Sequence, residues 1–136
     1  MQNLNQIRAR HVLEFATFCK VKGKNGGDVI KDIPPVIMNN GLMAALAYSL
    51  EEKAKKDKNT GRVNVEYHPW RFVFDAIAMH LSSKEIAMIP ADKNTAEMLL
   101  DYLASDADDV SSTLLRDVTA EAGEWLNFAR RLVRKE

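Results

Sequence analysis

The chain has a single cysteine, Cys19, which excludes an internal disulfide and the paired-cysteine spacings of a structural metal site. It has no net charge. Its 19 Lys and Arg balance 19 Asp and Glu, so the overall charge points to neither a nucleic acid nor a membrane surface. No segment approaches the roughly 20 apolar residues of a membrane span. The opening Met1-Gln-Asn-Leu-Asn-Gln6 lacks the basic and apolar blocks of a secretory signal. A cytoplasmic protein without a membrane partner is expected. There is no internal repeat and no low-complexity tract. What remains is 136 residues, 46% hydrophobic and 28% charged, the composition of an ordinary globular chain. A single domain over 1–136 is expected, large enough to bury about two-thirds of its unfolded surface.

The apolar pattern is helical throughout. From Leu4 to Val21, Leu4, Ile7, Val12, Phe15, Phe18 and Cys19 fall in one arc, with Gln6, Arg10, Glu14 and Thr17 opposite. The glycines of 22–27 end that helix. A short helical piece, Asp28 to Asp32, is expected to stop before Pro34, because a residue preceding proline avoids the helical region. The next helix, Pro35 to Lys55, is apolar around nearly its whole circumference and is placed at the centre of the fold. Asp57 to Gly61 reads as a loop, and Arg62 to Tyr67 as an extended segment outside any sheet. Pro69 opens a strongly apolar helix to Leu81. Ser82-Ser-Lys-Glu85 and Asn94-Thr-Ala-Glu97 match capping boxes, the second opening a helix to Ala104. The last helix, Val110 to Arg134, is the cleanest amphipath. Leu114, Leu115, Val118, Ala122, Trp125, Ala129, Leu132 and Val133 lie on one face, with Arg116, Asn127, Arg130, Arg131 and Arg134 on the other. The expected fold is all-α, a compact bundle of five to six helices around a central apolar helix.

Catalytic patterns are missing. His11, His68 and His80 stand in no His-Glu-x-x-His ligand motif, and no glycine-rich phosphate loop occurs. His11 sits inside the apolar arc of the first helix, where a satisfied buried imidazole is the preferred reading over a catalytic one. Asp101, Asp106, Asp108 and Asp109 lack the spacing of an oxygen-ligand cation loop and read as a solvated helix-terminus cluster. The expectation is a protein with no enzymatic activity, no cofactor and no metal.

Charge is segregated despite its zero sum. Residues 1–24 set Arg8, Arg10, Lys20, Lys22 and Lys24 against Glu14 alone, and residues 53–62 set Lys53, Lys55, Lys56, Lys58 and Arg62 against Asp57. Such clusters attract phosphate. Solvated helix ends produce the same pattern, and on the residues alone that reading is preferred. Arg8 falls near the middle of an apolar arc and needs a partner, since an unpaired buried charge costs several kcal/mol. A carboxylate on a neighbouring helix is expected, Asp75 being one candidate; a partner subunit meeting this face is the alternative. Asn39, Asn40 and Gly41 are three weak helix formers in succession. Two accounts fit equally: another helix packed closely over Gly41, or a contact surface for a partner or RNA.

The run Ile33-Pro-Pro-Val-Ile-Met-Asn-Asn-Gly-Leu42, followed by Ala45-Leu-Ala-Tyr48, resembles the small helical subunit of the Cmr complex, the type III-B CRISPR RNA-targeting effector. A first helix with Gln6-Ile-Arg-Ala-Arg-His11 and a closing helix with Glu124-Trp-Leu-Asn-Phe-Ala129 complete the likeness over essentially the whole chain. The resemblance implies a non-catalytic subunit that acts with the other Cmr subunits in antiviral defence. Its copies stack in an inner filament lining the channel where CRISPR RNA pairs with target RNA. Contacts in that role go to phosphate and sugar, because any guide sequence must be accommodated. The resemblance assigns no individual contacts. Charge clustering and helix faces select Arg10, Lys20, Lys53, Lys56, Arg130, Arg131 and Arg134 as RNA-binding candidates. A helical protein–protein adaptor with no nucleic-acid contact, using a patch around Trp125 or the first helix, is the alternative.

Overall fold

The computed structural model describes residues 3–18, 26–105 and 110–132. Helix α1 (Leu4–Phe18) begins with a reciprocal cap. The Asn3 side chain accepts the Gln6 N–H at 2.8 Å, and the Gln6 side chain accepts the Asn3 N–H at 3.0 Å. Helix α2 (Gly26–Asn40) runs through Pro34 and Pro35 rather than stopping before them. Each proline removes a backbone N–H from the helix. The loss is tolerated because Ile30, Ile33 and Ile37 share one face and bury it completely or nearly so, while Lys31 and Pro35 look out to water. Tertiary burial here outweighs the local penalty. The short helix expected over 28–32 is therefore part of a longer one.

Gly41 breaks the chain between α2 and α3 (Leu42–Ser49) at φ 89°, ψ 162°, a conformation essentially confined to glycine. A Cβ placed there would meet open space, so no helix packs closely over it and that explanation falls. Gly41 serves the backbone, and Asn39 and Asn40 lie exposed at the end of α2. The stretch expected as one encircled helix from Pro35 to Lys55 is thus two helices and a strand, each helix burying one face. Leu42, Ala45, Leu46 and Ser49 are buried, while Met38 is 87% exposed and Tyr48 lies partly in solvent.

Strand β1 (Glu52–Lys56) pairs antiparallel with β2 (Val63–Tyr67), from Glu52 opposite Tyr67 to Lys56 opposite Val63. The extended segment expected outside any sheet is therefore the second strand of a hairpin. Its turn closes through Asp57 N–H to Arg62 C=O at 2.8 Å, with Gly61 at φ 71° and the Asp57 carboxylate accepting the Asn59 N–H. At the hairpin foot, Tyr48, His68 and Trp70 stack edge to face.

Helix α4 (Trp70–Ser82) is the real centre. Val73, Phe74, Ile77, Ala78 and Leu81 are wholly buried, and the helix packs against each of the other five. Helix α5 (Ala96–Leu103) is capped by the Thr95 hydroxyl, which accepts the Met98 N–H, rather than by Asn94. The Asp75 carboxylate of α4 accepts the Ala96 N–H at 2.7 Å, tying the two helices together. Helix α6 (Ser112–Leu132) buries Val118, Ala122, Trp125 and Ala129 of its expected face completely, and Leu126 beside them. The architecture is an all-α bundle of these six helices with a two-stranded hairpin attached.

Candidate functional site

The basic candidates divide by position. Arg130 and Arg131 are exposed in the last turn of α6, where cations also complement the helix dipole. Lys56 is exposed at the end of β1, and Lys53 occupies the β1 position paired with Glu66. Arg10, on α1, is engaged by Glu85 through an ion pair at 2.7 Å. Lys20 and Arg134 lie outside the described residues, as does Cys19. The described candidates thus lie on three elements, α1, β1 and α6.

A polar network at the junction of α1, α4 and α6 was not legible in advance. Arg8 grips Glu121 with two parallel hydrogen bonds, Nε to Oε2 at 2.7 Å and Nη2 to Oε1 at 2.6 Å, and its third nitrogen reaches Asn5. Their side chains are 12% and 3% exposed, so this is a buried pair. The partner of Arg8 is therefore Glu121 rather than Asp75, whose carboxylate accepts the Ala96 N–H. Hydrogen bonding and attraction from Glu121 hold the Arg8 guanidinium more firmly protonated than usual, against the cost of burial. Burial alone would raise the Glu121 pKa, but bonds from Arg8 and His80 win and lower it.

The second bond to Glu121 sets the tautomers. Glu121 is a carboxylate and only accepts, so His80 donates its Nε2–H to Oε2 at 2.9 Å. Burial lowers the His80 pKa despite Glu121, and the neutral ring then offers Nδ1 as an acceptor. Nδ1 of His11 lies 2.7 Å away and supplies the proton. On its far side, His11 Nε2 faces Glu85 at 3.7 Å, the same carboxylate that pairs with Arg10. His11, expected as a satisfied buried imidazole, is part-buried and hydrogen-bonded at Nδ1. Two signals in the sequence could have found this site: Glu121 falls on the apolar stripe of α6 between Val118 and Trp125, and His80 sits between Ile77 and Leu81. A lone acid and a lone base on separate apolar stripes are natural partners. Trp125 is fully buried, which removes it as the centre of an exposed adaptor patch.

No three His, Cys, Asp or Glu side chains among the described residues are grouped to hold a metal ion. No described helix is long and apolar enough to cross a membrane. Between α1 and α4 lies a mostly apolar cleft of about 360 Å³ whose lining includes both network histidines.

These features define a small all-α protein with exposed cations at the ends of β1 and α6 and a buried polar network joining α1, α4 and α6. Residues 4–136 match the family described as CRISPR-associated protein (Cas_Cmr5), and the chain belongs to that family. It is accordingly a small subunit of the Cmr complex, the assembly that its central motif resembles. No curated protein and no solved structure matches the chain.

Proposed function

We propose that the chain is a non-catalytic, single-domain subunit whose copies stack in the inner filament of a cytoplasmic Cmr ribonucleoprotein. There it supports guide–target RNA pairing in antiviral defence. The observation that carries the RNA role is the exposure of Lys56, Arg130 and Arg131 on ordered elements, in a chain belonging to this family. Cations on rigid backbone suit sequence-independent phosphate contact, because no base edge has to be read. Lys53 belongs to the same hairpin and Arg10 to α1, its ion pair with Glu85 lowering its share of the work. Lys20 and Arg134 extend the two basic ends in sequence. The His11–His80–Glu121 network is internally satisfied, which supports a structural role for it over turnover.

The test is RNA binding by the reconstituted complex carrying Lys53→Glu/Lys56→Glu or Arg130→Glu/Arg131→Glu. Each lost phosphate contact should reduce the slope of log affinity against log salt by about 0.7–0.9. An unchanged slope in both variants refutes RNA contact by these faces. That result would favour the adaptor reading, for which the α1–α4 cleft is the specific support.

A further inference from the structure

The α1–α4 cleft has a composition that restricts its occupant. From α1 it takes His11 and Glu14; from α4 it takes Phe72, Asp75, Ala76 and Met79, a stripe at helical spacing. Phe72 and Met79 remain 49% and 61% exposed, although Val73, Phe74, Ile77, Ala78 and Leu81 of the same helix are wholly buried. The fixed charges in the lining are carboxylates, Glu14 at the surface and Asp75 half-buried, and the lining includes no lysine or arginine. Asp75 is held in place by its bond to the Ala96 N–H.

Three kinds of occupant can be compared on that chemistry. A nucleic-acid backbone would bring phosphates against carboxylates and be repelled. A purely apolar side chain would cover Phe72 and Met79 but strip water from the carboxylates without replacing it. A lysine or arginine satisfies both demands. Its stem lies along apolar surface while its head meets a carboxylate, and an arginine also stacks on an aromatic face such as Phe72.

We infer that the α1–α4 cleft is a docking site for a lysine or arginine carried on an apolar segment of another protein subunit of the complex, an inference that rests on the subunit reading above. The surface is then divided by charge. Basic element ends meet RNA, and the acidic, apolar cleft meets protein.

The experiment measures joining of the purified chain to the remaining Cmr subunits by size-exclusion chromatography and native mass spectrometry. Wild type is compared with Glu14→Lys, Glu14→Gln and Met79→Glu. Both positions are exposed, and unchanged thermal unfolding verifies that each variant is folded. The cleft assignment predicts at least tenfold weaker joining for Glu14→Lys and Met79→Glu, a smaller loss for Glu14→Gln, and undiminished RNA binding by the free chain. Normal joining by Glu14→Lys and Met79→Glu overturns it. A loss of RNA binding by the free variants overturns it in favour of nucleic acid. Self-association of wild type that Glu14→Lys abolishes in sedimentation overturns it in favour of a second copy. Failure of the wild-type chain to join the other subunits sinks the subunit reading itself, an outcome distinct from failure of the variants alone.

Discussion

Replacing Glu121 with alanine isolates the energetics of the network that fastens α1 to α4 and α6. The substitution leaves the Arg8 guanidinium, 12% exposed, without its two-point partner, and takes the acceptor from His80 Nε2–H. Breaking a buried ion pair from one side costs about 3–5 kcal/mol, because the surviving charge stays desolvated. Arg8 retains its bond to Asn5 and some access to water, which places the expected cost near the lower end, about 3 kcal/mol. For a chain of this length that corresponds to a fall in melting temperature of roughly 10 °C. Urea unfolding supplies the free energy, provided the denaturant slope is unchanged. The control is the double variant Arg8→Met/Glu121→Leu, which removes both charges and keeps most of the volume. It should recover at least half of the loss, since apolar replacement of a buried pair is often neutral or better. A cost below about 1 kcal/mol for Glu121→Ala, or a double variant as unstable as the single one, would refute the claim that an uncompensated charge is the cause.

Two further outcomes follow from the same structure. Acid should destabilise the protein in two steps: the folded His80 binds its proton less readily than the unfolded imidazole at 6.5, so the stability present above that pH is lost as pH falls through the lowered folded value. Glu121, also lowered, contributes stability above 4.5 that is lost further into acid. Melting temperature measured against pH should show both steps, and His80→Gln should flatten the upper one; an identical profile in that variant would contradict the assignment. Among the glycines, Gly41→Ala should cost roughly 1–3 kcal/mol from backbone strain alone, since its Cβ meets open space. Gly123→Ala, exposed inside α6, should instead stabilise by about 0.5–1 kcal/mol. Equal effects at the two positions in thermal unfolding would contradict the conformational argument.

The contrast between α6 and the segment from Ile33 to Tyr48 shows how far sequence periodicity reaches. On α6, apolar residues recur at helical spacing with arginines opposite, and Val118, Ala122, Trp125 and Ala129 are buried as expected, joined by Leu126 and Glu121, while Leu114, Leu115 and Leu132 are only partly buried. In the second segment almost every residue is apolar or small, so periodicity carries no direction. Which side faces the core was left to the packing of neighbouring helices, and Met38 ended up almost wholly in water. The prolines misled for a related reason. Their local penalty is real, but Ile30, Ile33 and Ile37 bury enough surface to hold α2 through it. The hairpin was hidden because β1, Glu-Lys-Ala-Lys-Lys, has little strand propensity of its own and takes its register from a partner.

By itself the sequence determined the helical class, the amphipathic face of α6, the need of Arg8 for a partner and of His11 for satisfaction, and the motif that points to the family. Those properties arise from residues three or four positions apart, or from a single residue's chemistry, and are written locally. Only the tertiary structure decided that α4 is the centre, that Gly41 divides two helices, and that Arg8 meets Glu121, 113 residues away. It also decided that Glu14 and Asp75 face a common cleft with Phe72 and Met79. Such pairings depend on how whole helices cross, and that is settled by the summed burial of every face at once.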